Sequence, residues 1–249
     1  MALSSKTPAS HKQAHDLVYG IHPLIELLRA KRRVVYQVYT TDPKPKAFDQ
    51  IKPLLPARVP VTIVKRDVLN RLADTTDHQG VVATVAPFQF RKKLFDPARE
   101  PFIVMTEGIQ DTRNIGGIIR SAYCTNASGV VITSKESAPV NASTCKASAG
   151  LIEHLQVYQS NSAIKAALDL KNQGYNLYLA ALGGTSTTAI NFTLPCCIVI
   201  GNEAYGISPQ LLKLGTTVML RQKQADISYN ASVAAGILLF TIATQHNLI

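Results

Sequence analysis

The sequence predicts an α/β protein in two parts: a small α/β module followed by a larger, mainly parallel sheet with helices on both faces. Three observations predict it. Short apolar runs such as Phe102 to Met105 and Cys196 to Ile200 alternate with amphipathic patterns such as Ser162 to Gln173, which is the rhythm of βαβ units. The prolines and basic residues of Phe88 to Pro101 separate two stretches that each keep this rhythm. The charge is uneven: residues 1–100 hold 17 Lys and Arg against 9 Asp and Glu, and residues 101–249 hold 9 against 7. A cationic module joined to a nearly neutral one suits a protein that gathers phosphates with one part and does chemistry with the other.

Residues 1–15 read as a disordered basic lead without the apolar stretch of an export signal. Residues 16–87 form the first module. Val18 to Ala30 is expected to be a helix, with Pro23 in its first turn and Leu24, Leu27 and Leu28 on one face. Lys31, Arg32 and Arg33 follow as a basic cluster expected to meet nucleic-acid phosphates. Strands are expected at Val34 to Thr40, Val59 to Val64 and Val81 to Val85, with a short helix at Asp67 to Ala73. His78 has no partner nearby in sequence and is read as the polar contact of a turn. Residues 88–100 are taken as a linker, itself basic enough to touch RNA, and residues 101–249 as the larger domain.

That domain is organised around Pro101 to Thr133. A buried strand leads through a polar loop into a helix with Asn114 as expected N-cap, and a second strand follows at Val130 to Thr133. Ile115, Ile118, Ile119, Ala122 and Tyr123 make one apolar stripe, with Arg120 on its flank. The free N–H groups at that helix start, with Arg113 beside them, suit an anionic group. Gly116 and Gly117 weaken a helix, so they point to close approach of a backbone or a ligand.

Further on, Ala142 to Ala149 reads as a small-residue helix and Leu151 to Val157, across a Gly150 turn, as a strand. Asn176 to Leu182 is a buried strand ending in Gly183-Gly184-Thr185, and Cys196 to Ile200 runs into Gly201-Asn202-Glu203-Ala204-Tyr205-Gly206. This hexapeptide lacks the middle glycine of a dinucleotide fingerprint, yet it has the glycines and carboxylate of a ligand loop. Val218 to Leu220 precedes the polar loop Arg221 to Asn230, and Ala231 to Thr244 is a helix apolar almost all round, expected to be buried on every side in the core or a dimer interface. Loops 183–185, 201–206 and 221–230 thus lie at strand ends, where parallel sheets hold ligands. Four cysteines without paired spacing suggest thiols in a reducing compartment. His78, His154 and Cys196-Cys197 lack metal-ligand spacing, so no metal is expected. No apolar run is long enough to span a membrane.

Asp111 to Ala122, Gly201 to Ser208, and Ser228-Tyr229-Asn230-Ala231-Ser232 resemble, in order, the three motifs of the SpoU branch of the knotted SPOUT methyltransferases. Tyr19-Gly20-Ile21-His22, His78-Gln79-Gly80-Val81, Lys146 to Gly150 and Glu153-His154-Leu155 resemble the subgroup of bacterial enzymes that methylate a guanosine of large-subunit ribosomal RNA. The resemblance implies a C-terminal trefoil knot and an L30e-like first module. It also implies S-adenosylmethionine as methyl donor, an RNA ribose 2′-hydroxyl as acceptor, a homodimer that completes the site, and a cytoplasmic setting. By the same resemblance, Arg120, Asn114, Glu203, Ser228 and Asn230 are the polar catalytic residues. Leu182, Gly183, Gly201, Asn202, Leu220 and Tyr229 would hold the donor, and Arg113, Lys31, Arg32 and Arg33 the RNA. Arg221 and Gln224 stand where the family usually has Pro and Gly, and Tyr229 replaces a hydrophobic residue. The family proposal makes the motif-one Arg, here Arg120, the base. An arginine with pKa above about 12 is better suited to clamping a phosphate and stabilising an oxyanion, which leaves Glu203 as the competing base. Methylation of transfer RNA, and a non-catalytic ribosome-assembly role, are the rival readings.

Overall fold

A computed structural model of the chain describes residues 15–224 and 227–249. The expected basic lead lies, except for His15, outside the described residues, as do Ala225 and Asp226 of the third loop.

The first module is a four-stranded sheet built from β1 (Asp16–Tyr19), β2 (Val35–Thr40), β3 (Val61–Ile63) and β4 (Val81–Val85), with α1 (Ile21–Ala30) and α2 (Arg66–Ala73). The order is β1-β4-β2-β3; β4 pairs antiparallel with β1 and β2, while β2 and β3 run parallel. Leu24 and Leu27 of α1 pack with Val38, Val81 and Val85 on one face, and Leu69 of α2 meets Tyr19 and Val82 on the other. The expected helix from Val18 is corrected at its start. Asp16–Tyr19 is a strand, and the helix begins only after Gly20, whose φ of +95° a side chain would strain. The Gly20 N–H still bonds Val81 O, so the sheet edge continues to the first turn of the helix.

Six parallel strands form the larger sheet, in the order β10-β8-β9-β5-β6-β7. They are β5 (Phe102–Thr106), β6 (Gly129–Thr133), β7 (Gln156–Ser160), β8 (Asn176–Ser186), β9 (Cys196–Ile200) and β10 (Thr216–Met219). The helices are α3 (Thr112–Cys124), α4 (Ala142–Ala147), α5 (Ala163–Asn172), α6 (Pro209–Leu212) and α7 (Ala231–Gln245). Phe102 and Val104 face α3 and α7, whereas Ile103 and Met105 face α5 and α6. Burial on both faces is why these strands read as unbroken apolar runs.

Several expectations change. Leu151 to Val157 is not one strand: Leu151–Glu153 is a 3-10 turn that buries Ile152 and Glu153, and pairing starts at Gln156. The helix after β5 begins earlier than Asn114. Asp111 is its N-cap, accepting from Arg113 N at 2.8 Å, so Asn114 lies within the first turn. β8 runs through Gly183 and Gly184, where a Cβ on Gly184 would lie 2.6 Å from the Thr217 backbone. α7 buries Ala235, Leu238, Leu239 and Ile242 but leaves Val233, Ile237 and Phe240 exposed at i, i+4 and i+7, so within one chain the core covers only part of it.

The linker is packed. Arg91 N bonds Val157 O beside β7, and the Arg91 guanidinium grips Glu100 at 2.6 and 3.1 Å while lying 4.0 Å from the Phe95 ring centre. This arginine is therefore unavailable to RNA. Among the described residues, no helix is long and apolar enough to cross a membrane.

Candidate active site

The carboxyl ends of β8, β9 and β10 surround a cavity of about 560 Å³. It lies outside the carboxyl ends of the strands, the usual ligand position in an open parallel sheet. Leu182, Gly201, Asn202, Leu220 and Tyr229 line it, as do Glu203, Ser228 and Asn230. Gly183, expected to hold the same ligand, does not line it.

The loop after β9 is closed on itself. Asn202 N bonds Gly206 O and Gly206 N bonds Asn202 O, at 3.0 and 2.9 Å, and a Cβ on Gly201 would collide with the Gly206 backbone. The Asn202 side chain accepts from Ala204 N and Tyr205 N and donates to Gly108 O, so it shapes the loop and has little left for a ligand. Glu107 bonds Ser208 N at 2.9 Å and Ser208 Oγ at 2.7 Å, pinning the loop's exit. Sequence reasoning missed Glu107; its place directly after β5 was the available signal.

Three expected residues meet in a relay. Asn230, the N-cap of α7, accepts from Ser232 N and Val233 N through Oδ1 and donates from Nδ2 to Asn114 Oδ1 at 3.0 Å. Asn114 Nδ2 in turn donates to Glu203 Oε1 at 2.7 Å. Each amide's orientation is thereby set by the previous one, and Glu203 is held as an acceptor beside the cavity mouth with Oε2 left over. The two early glycines of α3 make this convergence possible. A Cβ on Gly116 would press on Ala147 and one on Gly117 would come 2.9 Å from Ser232 Cβ, so α4 and α7 both close directly on the helix.

Arg120 is not brought to the relay. It is exposed on α3, lines neither the cavity nor the shallow groove over Gln110, Asp111, Thr112, Asn114 and Glu203, and makes no hydrogen bond or ion pair among the described residues. Arg113 is exposed but grips the Asp111 carboxylate at 2.8 to 3.2 Å, which holds that carboxyl below its ordinary range and the guanidinium above its own.

The basic cluster is divided. Lys31 is exposed at the end of α1, and Arg32 donates to Leu155 O at 2.9 Å while remaining exposed. Arg33 is a correction. Its side chain is 6% exposed and is spent between the modules on Asp16, Glu153 and Ala86 O at 2.7 to 2.9 Å. Its partner Glu153 is 1% exposed, and burial pushes that carboxyl up against the opposing pull of Arg33. Glu26 of α1 bonds His154 at 2.8 Å across the same seam, and Gly150 packs on Pro23. His78 is buried between Asn70 and Gly80 N, as a structural contact. No cluster suited to a metal occurs among the described residues.

Comparison with known proteins shows the family and the fold. Residues 17–91 match the family described as RNA 2′-O ribose methyltransferase substrate binding. A Bacillus subtilis (strain 168) protein that carries the name of a TrmH family tRNA/rRNA methyltransferase is 29% identical over 94% of this chain and 98% of its own. The SpoU methyltransferase AviRb from Streptomyces viridochromogenes, solved with AdoMet, superposes with a TM-score of 0.79 at 21% identity, covering 94% of this chain and 92% of its own. The A. aeolicus TrmH/SpoU tRNA modifying enzyme superposes with a TM-score of 0.53 at 20% identity, over 60% of this chain and 77% of its own. Residues 101–240, which carry the cavity and the relay, match the SpoU rRNA Methylase family, and the chain belongs to that family.

Proposed function

We propose that this protein transfers a methyl group from S-adenosylmethionine to a ribose 2′-hydroxyl of ribosomal RNA, with a guanosine of the large subunit as the target. The observation that carries the reading is the Asn230–Asn114–Glu203 relay at the mouth of a nucleoside-sized cavity. The cavity suits such a donor: apolar walls from Leu182, Leu220 and Leu238 adjoin the backbone of Gly201 and Tyr229. Bound there, the donor supplies an electrophilic methyl on a sulfonium, so alignment is the protein's main task.

The acceptor hydroxyl must lose a proton as it reacts. Glu203 Oε2, steadied through Oε1 by Asn114, takes that proton. Arg120 clamps an adjacent phosphate and lowers the cost of the developing oxyanion. In one chain it stands apart from the relay, so a second copy completes the site, paired through the exposed stripe Val233, Ile237 and Phe240 of α7. Lys31 and Arg32 supply RNA contacts from the first module.

The target assignment rests on the first module, which the substrate-binding family matches and which the tRNA-modifying neighbour's overlap of 60% leaves little room for. The relative named for both RNAs keeps transfer RNA as the second reading.

Methyl-labelled S-adenosylmethionine is incubated with unmodified ribosomal and transfer RNA in parallel, followed by alkaline hydrolysis. Label in an alkali-resistant dinucleotide from ribosomal RNA supports the assignment and names the base. Label in transfer RNA alone moves the target, and no label in either despite donor binding overturns the catalytic reading.

A further inference from the structure

The seam between the two modules spends most of its charged groups internally: Arg33 on Asp16 and Glu153, and Glu26 on His154. Lys146 of α4 is different. Its ammonium sits against the β1–α1 turn, where a Cβ on Gly20 would lie 2.6 Å from Nζ and 3.2 Å from Cδ. Gly20 therefore leaves a slot that the lysine side chain fills. The acceptor beside the slot, Gln79 Oε1, is taken by Ile21 N at 3.1 Å. Among the described residues Lys146 makes no hydrogen bond and no ion pair, and Asp77 acts on it only from beyond bonding distance. Partial burial lowers its pKa, so the charged form has lost water without gaining a partner.

Two more cations, Arg66 and Arg120, make no hydrogen bond or ion pair among the described residues. Arg66, exposed on α2 of the first module, and Lys146 both lower the pKa of the buried His78, so both positive charges act on that turn. Ala147, the next residue of α4, packs on Gly116 of α3. Arg120, exposed, follows Gly116 by one helical turn of α3. Lys146 thus lies on the helix that joins the seam of the first module to α3, which carries Asn114 and Arg120.

Resting on the methyltransferase reading, we infer that Lys146 binds a backbone phosphate of the substrate RNA where the strand crosses the seam. A phosphate there regains the hydrogen bonds that the ammonium lost on burial, and the rigid slot makes the contact directional.

Binding of unmodified ribosomal RNA to the full-length protein is measured between about 50 and 200 mM salt for wild type, Lys146→Gln, Lys146→Arg and Lys213→Gln, the last an exposed lysine beyond α6. Loss of one phosphate contact reduces the slope of log affinity on log salt by roughly 0.7 to 0.9. We expect that reduction, with about ten-fold weaker binding, for Lys146→Gln. Lys146→Arg recovers much of both, Lys213→Gln changes neither, and donor affinity and thermal midpoint stay at wild-type values throughout. A Lys146→Gln slope equal to that of wild type or of Lys213→Gln, with wild type binding and methylating RNA, overturns the inference and leaves the methyltransferase reading standing. Wild-type protein that neither binds nor methylates RNA overturns both.

Discussion

Replacing Asn114 by alanine cuts the relay at its middle. Two hydrogen bonds are lost: one from Asn230 at 3.0 Å and one to the Glu203 carboxylate at 2.7 Å. The second is charge-assisted and contributes about 1.5 to 3 kcal/mol. If that energy serves to hold Glu203 on the acceptor hydroxyl, kcat falls about ten- to hundred-fold, at about 1.4 kcal/mol per decade. Asn114 does not line the donor cavity, so the donor Kd should stay within about two-fold. Losing the charge-assisted bond from a side chain at 8% exposure should also lower the thermal midpoint by roughly 3 to 12 °C, at about 2 to 4 °C per kcal/mol in a chain of this size. The assay is single-turnover methylation at saturating RNA and donor, combined with Glu203→Gln in a double-mutant cycle. Strong non-additivity is expected, because each change disables the same contact. Asn114→Asp sets a second carboxylate against the first, so the acidic limb of its pH–rate profile should move to higher pH. Full kcat in Asn114→Ala, or strict additivity with Glu203→Gln, would refute the reasoning.

Other consequences are measurable with ordinary tools. Arg33→Ala leaves Glu153 buried without its cation and should cost roughly 3 to 5 kcal/mol in chemical unfolding. Burial already raises the Glu153 carboxyl, and an acid whose folded pKa exceeds its unfolded value weakens the fold as pH rises through that window. The Arg33→Ala deficit should therefore shrink toward acid pH. Native protein should react with an aromatic disulfide reagent at the exposed Cys124 alone, since burial pushes Cys196 up to about 12 and raises Cys145 and Cys197 as well. All four thiols should appear on unfolding. Phe240→Lys should yield a monomer by light scattering with methylation abolished and the thermal midpoint little changed, because Phe240 is 58% exposed in the single chain. A Phe240→Lys dimer of wild-type size would count against pairing through α7.

Elements whose partners are local or whose pattern is unmixed were legible in the sequence. β4 and β9 begin and end where their apolar runs do, because strands buried on both faces carry their own boundaries. β1 was hidden because Asp16–Tyr19 runs into an uninterrupted helical pattern, and only Gly20 marks the break. Loops 201–206 and 221–230 were legible at strand ends, whereas 183–185 lies inside β8, which its two glycines had concealed. The site's wiring was not legible, since Asn114 meets partners 89 and 116 residues away. Arg33 shows the same limit: nothing in a run of three basic residues distinguishes the one that will find a carboxylate 120 positions later. The exposed stripe of α7 was invisible for a different reason. A helix apolar all round does not say which side its own chain will cover.

On the proposed mechanism, the relay also sets when catalysis can begin. Asn230 orders the first turn of α7 and, with its other atom, orients the amide that steadies Glu203, so docking the last helix and arming the carboxylate are one event. A chain emerging from the ribosome would complete the sheet around β5 and β9 and display Asn114 and Glu203 well before residue 230 arrives. Until then, Asn114 lacks the neighbour that fixes its orientation. On the proposed mechanism, Glu203 is therefore steadied for proton transfer only once α7 has docked.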